Sequence, residues 1–183
     1  MDVQWSLKGD GLMRRIAAAL ALALALPAAA LAQIGNSNAP IDITADSAEV
    51  INSQCLAIWR GSAEALQGQT RLRANVIKVY SARRGDSCGA TRRLEAEGSV
   101  YYVTPTQTAR GDSAVYDAGA DTIIITGNVI VVQGRSVARG DRLTIKISTR
   151  QITMESNSQG RGSGNRVRGV FYPGEGGGLV GGQ

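Results

Sequence analysis

The sequence contains no histidine among its 183 residues, and it is poor in cysteine, proline and aromatic side chains. Without histidine the chain has no Ser-His or Cys-His catalytic pair, because those nucleophiles depend on an imidazole base. Two cysteines are too few ligands for a structural metal site. The sequence also lacks a phosphate-binding P-loop and the glycine pattern of dinucleotide-binding folds. We therefore expect a protein that is not an enzyme and that needs no cofactor or metal.

Long apolar runs are also scarce, and the main one lies near the N-terminus. Residues 16–26 form an apolar stretch of signal-peptide length, preceded by Arg14-Arg15 and followed by a small-x-small site at residues 30–32. A run this short does not span a bilayer. We predict a signal peptide over residues 1–32, cleaved after Ala32, with an uncleaved anchor as the alternative. Both Met1 and Met13 are possible starts.

What the sequence does contain is alternation, which is clearest over residues 122–147 (TIIITGNVIVVQGRSVARGDRLTIKI). Apolar side chains recur at every second position, and polar residues such as Thr144 and Lys146 lie between them. This period of two is typical of β-strands with one buried and one wet face. We find no amphipathic helical pattern after the signal peptide, so the sequence predicts an all-β fold.

The strand pattern is repeated along the chain. Arg110-Gly111-Asp112 recurs 29 residues later as Arg139-Gly140-Asp141. In four places a small residue precedes Asp or Asn, and apolar side chains follow two and four positions later; the acids or amides are Asp46, Asn75, Asp112 and Asp141. Such self-similarity predicts a unit of about 29 residues that is stacked several times.

The apolar parity changes by one residue at each Asp or Asn, which predicts a bulge or corner in the strand. We expect the Asp or Asn side chain to bond its own nearby backbone and glycine to adopt the strained angles.

The second unit carries eight extra residues in the polar segment 81–93, which we interpret as a loop. Cys88 lies in this segment and Cys55 precedes it by 33 residues, about one repeat, so the two could sit on neighbouring strands. Export to an oxidising compartment would allow them to form a disulfide.

The inward rows are rich in alanine and β-branched residues, whereas a sheet interior is normally filled by bulkier side chains. Such rows could leave an apolar cleft that suits acyl chains, since each buried CH₂ contributes about 0.8 kcal/mol. The alternative is an ordinary packed core. The candidate lipid-binding residues are Ile43, Ala45, Ala48, Val50, Ala63, Ala65, Ile77, Val79, Val100, Tyr102, Ala114, Tyr116, Ile125, Val129, Val131, Leu143, Ile145 and Ile147.

A stack of strands also has two ends, which we place at residues 41–45 and 167–172. Neither is a capping helix or a charged block, so the ends could pair head-to-tail with other chains. The net charge of +5 would permit nucleic-acid binding, but the signal peptide and the scattered arginines argue against it.

Taken together, several motifs give the chain a family resemblance. PIDITAD at residues 40–46, GNVIVVQG at residues 127–134, the small-residue–Asp corners and RGVFYP at residues 168–173 occur in this order. The sequence resembles the OstA-like family of lipopolysaccharide-transport proteins over about residues 40–173. It departs from the family pattern at Gly61-Ser62 and Gly98-Ser99, in the basic segment 81–93, and in the Gly-rich tail 174–183, which we expect to be disordered.

The resemblance implies an elongated, half-open β-jelly roll of stacked antiparallel strands over residues 33–173, located in the periplasm. It implies an interior that takes the acyl chains of lipid A, with an inner-membrane-anchored adaptor at the N-terminal edge and an outer-membrane translocon at the C-terminal edge. Four arginines of the basic segment could contact lipid phosphates, although a solvated loop is the alternative: Arg83, Arg84, Arg92 and Arg93. Two other readings are a membrane-anchored adaptor of the same pathway and an exported structural β-solenoid without a lipid ligand.

Overall fold

The structure is a computed structural model that describes residues 39–157 and 166–172. The predicted signal peptide 1–32 and the predicted tail 174–183 lie outside the described residues. Within the described residues, no helix has the length and apolar character needed to cross a membrane.

The described residues form ten β-strands and a single short 3₁₀ turn at Asn52–Gln54, which confirms the all-β prediction. The strands are β1 (Asp42–Thr44), β2 (Ser47–Ile51), β3 (Leu56–Gln67), β4 (Thr70–Arg84), β5 (Ser87–Val103), β6 (Thr108–Asp117), β7 (Thr122–Gln133), β8 (Ser136–Lys146), β9 (Gln151–Glu155) and β10 (Arg168–Val170). They build one open, antiparallel sheet in which β3 to β8 follow each other in chain order.

Two short strands share each edge of this sheet. β1 and β2 both pair with β3, whereas β9 and β10 both pair with β8. The two edges predicted from residues 41–45 and 167–172 therefore contain edge strands, β1 and β10. β2 and β9 are additional edge strands that the sequence pattern did not identify.

The predicted corners are present, but their chemistry differs from the prediction. The left-handed backbone conformation belongs to Gly61-Ser62, Gly98-Ser99 and Gly127-Asn128, at the bulges of β3, β5 and β7. The side chains that lie against these glycines come from Asp46, in the bend between β1 and β2, from Asn75 of β4 and from Asp112 of β6.

At the corner of β6 and β7, the Asp112 carboxylate accepts a hydrogen bond from Asn128 Nδ2 at 3.2 Å, rather than from its own nearby backbone. At the first corner, the backbone N–H of Asp46 donates to the Gly61 carbonyl at 3.0 Å. Asp141 accepts from the backbone N–H of Asn157 at 2.8 Å. These contacts hold neighbouring strands together where the regular ladder is interrupted.

The segment 81–93 is not a loop. β4 and β5 continue through it as a hairpin that turns at Gly85-Asp86, with Arg83 opposite Cys88. The loop was predicted because the segment is polar and shows no alternation. A hairpin that extends beyond the neighbouring strands has both faces in solvent, so its strands need no alternation of apolar and polar residues.

The structure joins Cys55 to Cys88 in a disulfide with a Cα–Cα distance of 5.4 Å. The two cysteines do not lie on neighbouring strands, as the repeat spacing had suggested, because β4 separates β3 from β5. Cys55 lies in the turn before β3, and the backbone N–H of Ser81 on β4 donates a hydrogen bond to its carbonyl at 2.9 Å. Arg83 donates a further hydrogen bond to the Ser53 carbonyl. The disulfide thus ties the hairpin to the turn between β2 and β3.

Candidate functional site: the apolar inner face

One face of the sheet, which we call the inner face, carries four apolar rows that run across the strands. Residues directly opposite each other in neighbouring strands share a face, so the register defines each row. The first row is Ile43, Ala65, Leu72, Tyr102, Ala109, Val131 and Ala138. Beyond the corners, the third row is Ala48, Trp59, Ile77, Ala96, Ala114, Ile125, Leu143 and Met154. The second row lies between these two, at the corners, and pairs Ala63 with Ala74, Val100 with Gly111 and Val129 with Gly140. The fourth row follows the third and is Val50, Ala57, Val79, Leu94, Tyr116, Ile123, Ile145 and Ile152.

All of the predicted lipid-binding residues lie on this inner face. Most are buried in one apolar cluster: Ala63, Ala65, Ile77, Val100, Tyr102, Ala114, Ile125, Val129, Val131, Leu143, Ile145 and Ile147. Ile43, Ala45, Val79 and Tyr116 are half-buried against that cluster. Only Ala48 and Val50 are exposed, with 64% of Val50 accessible, because both belong to the edge strand β2.

The inner face contains further residues that the sequence reading did not single out. Leu72, Ala74, Leu94, Ala96, Ala109, Ile123 and Ala138 are buried, and Trp59, Ile152 and Met154 pack against them. Every one of them continues the period-two parity of its strand. Extending that parity along each predicted strand, and not only around the corners, would have found them.

Exposure on the inner face increases from the centre of the sheet to its edges. Ala65 and Ile125 are completely buried, whereas Ala48 and Val50 are open at the first edge. At the other edge, Met154 is half-buried on β9. The apolar surface is therefore continuous across the sheet and reaches solvent at the edge strands.

The rows carry no charged side chain in the described part of the chain, and their polar side-chain groups there are the hydroxyls of Tyr102 and Tyr116 and the indole N–H of Trp59. Burial raises the pKa of Tyr102 to about 12. Burial, together with the nearby carboxylates of Asp121 and Asp117, also raises the pKa of Tyr116. Both phenols are neutral at physiological pH, so the inner face is uncharged.

Polar residues border the apolar rows at one end of the sheet, where β3 turns into β4 and β7 into β8. Gln67, Thr70 and Ser136 are buried there, and Gln67 donates a hydrogen bond to the Ala39 carbonyl at 2.9 Å. At the opposite end the apolar surface continues to Ile147.

The opposite, outer face carries charged residues that pair with each other. Lys78 contacts Glu97 at 2.7 Å, and this hydrogen bond raises the pKa of Lys78. Arg93 contacts Glu95 at 2.7 Å, and its hydrogen bond holds the pKa of that carboxyl below the ordinary value. Such exposed pairs contribute little to stability individually.

The four candidate phosphate-contact arginines occupy different environments. Arg93 is already paired with Glu95 and with Asp117 at 3.6 Å, so its charge is compensated. Arg83 donates to the Ser53 carbonyl. Arg84 and Arg92 are exposed on the hairpin and form no ion pair with the described residues. Their contact with phosphate stays a prediction.

The sequence and the fold of this chain are similar to those of known proteins. The family model described as LptA/(LptD N-terminal domain) LPS transport protein matches residues 42–151. An uncharacterized protein of Rhizobium meliloti is 28% identical, over 78% of this chain and 86% of its own length. The crystal structure of LptH, the LptA-homologous periplasmic component of the lipopolysaccharide transport device from Pseudomonas aeruginosa, superposes with a TM-score of 0.62 at 21% identity. That alignment covers 74% of this chain and 96% of LptH, and it shows the fold: an open jelly-roll-like sheet.

Proposed function

The chain belongs to the LptA/(LptD N-terminal domain) family of lipopolysaccharide (LPS) transport proteins, and from this we propose that it is a periplasmic carrier that holds lipid A acyl chains along its inner face. In the same proposal it bridges the inner and outer membranes. The four uncharged, apolar rows that cross the whole sheet and open at its edges carry this proposal.

The chemistry of the inner face fits acyl chains. Removing an acyl chain from water is favourable by about 0.8 kcal/mol per CH₂. Because the inner face has no charged side chain, covering it with an acyl chain does not bury an unpaired charge of the protein. The open edges supply a route into the rows for a ligand that remains partly in solvent. The residues nearest that route are Ile43, Ala45, Ala48 and Val50 on β1 and β2.

The two edges are the proposed sites of bridging. An edge strand has unpaired backbone groups that can add a strand from another chain. We assign an inner-membrane-anchored adaptor to the β1–β2 edge and an outer-membrane translocon to the β9–β10 edge, with further copies of this chain between them. Because these edges differ, self-association is head-to-tail and need not close.

Photo-crosslinking tests the lipid site with a matched pair of tyrosines. Tyr116 is half-buried on the inner face of β6, and Tyr101 is exposed on the outer face of β5. Each is replaced by p-benzoylphenylalanine in cells, and adducts are detected with an antibody to LPS. We expect an LPS adduct from position 116 and none from position 101. Equal yields from both, or none from position 116, would remove the basis of the lipid site.

Two further measurements test the remaining parts of the proposal. N-terminal sequencing of the mature protein should find Gln33 as the first residue, whereas an intact segment 1–32 would favour a membrane-anchored adaptor. Sedimentation at rising concentration should give a series of oligomers. A series that stops at the dimer would mean that equivalent edges pair with each other.

A further inference from the structure

A second candidate site lies on the outer face, where β8 meets the edge strand β10. A cavity of about 300 Å³ is lined by Arg135, Val137, Arg139, Arg168, Val170 and Tyr172. The side chains of the inner face point to the other side of the sheet, so this cavity is separate from the proposed acyl site.

The register of the two strands explains how the cavity is built. Arg139 is directly opposite Arg168, and Val137 is directly opposite Val170. Continuing the same register past the end of β10 brings Tyr172 opposite Arg135, and the Arg135 guanidinium lies 4.2 Å from the centre of the Tyr172 ring. The cavity therefore has two valines in its middle, with two arginines on one side and a stacked arginine on the other.

Two of the three arginines of this cavity, Arg139 and Arg168, lie directly opposite each other. Like charges directly opposite each other on neighbouring strands destabilise a sheet. Among the residues that the structure describes, neither Arg139 nor Arg168 forms an ion pair, although Arg142, three residues after Arg139, lies 3.7 Å from Glu155. Two opposed and unpaired guanidinium groups are the arrangement expected where an anion is bound.

We propose that this cavity binds the phosphate group of an organic phosphate monoester. The facing guanidinium groups of Arg139 and Arg168 can each donate two hydrogen bonds to the three free oxygens of a phosphate monoester, whereas a carboxylate offers only two oxygens. Arg135, stacked on Tyr172 beyond the two valines, closes the other side of the cavity. A single water needs about 10–15 Å³ of such space, so the cavity has room for the group that carries the phosphate, and Val137 and Val170 supply apolar contacts to it.

The first experiment measures binding of inorganic phosphate and glucose 1-phosphate to the full-length protein by calorimetry at low ionic strength. We expect saturable binding, tighter for the sugar phosphate because its sugar contacts the valines. Arg139→Gln and Arg168→Gln should each weaken binding about tenfold or more, since each removes a charge-assisted hydrogen-bond donor. Arg142→Gln on the same strand, which changes net charge equally, should bind as the unchanged protein does. Equal weakening by Arg142→Gln would reveal general surface charge and overturn the proposal.

A second measurement separates a binding role from a structural one. In phosphate-free buffer, Arg139→Gln should not lower the melting temperature, because it removes a repulsion. Glucose 1-phosphate should raise the melting temperature of the unchanged protein but not that of the variant. A variant that melts lower in phosphate-free buffer and is still stabilised by the ligand would assign Arg139 a structural role and contradict the proposal.

The source of the phosphate is resolved with vesicles. Phosphatidylcholine vesicles with phosphatidic acid, whose headgroup is a phosphate monoester, are compared with vesicles of phosphatidylcholine alone. Co-sedimentation that needs both phosphatidic acid and Arg168 identifies a lipid headgroup, whereas binding of glucose 1-phosphate without co-sedimentation identifies a soluble phosphate.

If a hexaglutamate peptide binds in an Arg168-dependent manner and neither phosphate ligand does, the cavity recognises an acidic protein segment and the proposal is wrong. Crosslinking from position 116 is unaffected by these outcomes, so the two proposals fail independently.

Discussion

Gly127 of β7 lies directly against Asp112 of β6, so that a Cβ atom added at Gly127 would come within 2.7 Å of Asp112 Cγ. The same relationship joins Gly61 to Asp46, where the corresponding distance is also 2.7 Å. The acid therefore occupies the space that a side chain would take, and it holds the neighbouring strand at the corner. This pairing gives the repeated Asp positions of the sequence a structural role.

Gly127→Ala is expected to lower the free energy of unfolding by roughly 2–4 kcal/mol, because it combines backbone strain at a φ of +82° with a clash against Asp112. Gly134→Ala is the control, since Gly134 also has a positive φ, +56°, but no atom within 4 Å of an added Cβ. It should cost about 1 kcal/mol. Urea unfolding of both variants measures the difference. Equal losses would mean that the Asp112 contact contributes nothing beyond the backbone angle.

The disulfide gives a second prediction. Cys55 and Cys88 are 33 residues apart, and a closed loop of this length is expected to stabilise the fold by about 3–4 kcal/mol. A variant with serine at both positions should lose that amount, and reductant should destabilise the unchanged protein equally. Reductant should have no effect on the double variant. An unchanged unfolding midpoint in the double variant would show that the hairpin is held by its other contacts.

The burial predicted from the sequence agrees with the structure where the alternation of side chains along a strand is enough to decide which face a residue lies on. The burial of Ile123, Ile125, Leu143 and Ile145 follows from strand parity alone, because a one-residue slip would move them all to solvent. The hairpin at residues 81–93 could not be predicted in this way, since both of its faces are wet. The arginine cavity was also missed, because it depends on the register of β8 and β10, which are 22 residues apart along the chain. Local patterns do not contain such pairings.

Burial of Tyr102 makes the free energy of unfolding depend on pH in the alkaline range. Its folded pKa of about 12 lies above the unfolded value of 10.0 because burial disfavours the phenolate. The resulting contribution is therefore complete below pH 10 and is lost as the pH rises to about 12, a loss of roughly 2–3 kcal/mol. Tyr102→Phe should flatten this part of the stability profile, measured by urea unfolding at each pH.

Other groups influence the same pH range, so a control is needed. The pKa values of three other groups are also raised: Tyr80, Tyr116 and Lys78. Deprotonation of each of them also lowers the free energy of unfolding as the pH rises. Tyr101→Phe changes an exposed tyrosine on the outer face of the same strand, and it should leave the profile as it is. If Tyr102→Phe also leaves the slope unchanged, the phenol of Tyr102 is more hydrated in solution than in this structure.

The open edge at β2 gives the last prediction, which concerns how acyl chains reach the inner face. Ala48 is exposed on the inner face of β2, opposite Trp59 of β3, whereas Ala63 is completely buried. Ala48→Trp should change the free energy of unfolding by less than about 0.5 kcal/mol, because the site is at the surface. Ala63→Trp should cost about 1–3 kcal/mol or more, because the core there has no space for an indole.

If acyl chains enter at this edge, the indole of Ala48→Trp would cover the entrance and reduce the yield of LPS adducts from p-benzoylphenylalanine at position 116. Glu49→Trp is the matched control, since it places the same ring on the outer face of the same strand and removes only the exposed ion pair with Arg60. Its adduct yield should equal that of the unchanged protein. An undiminished yield from Ala48→Trp would exclude entry beside β2 and leave the β9 edge, where Met154 is half-buried, as the route to the apolar rows.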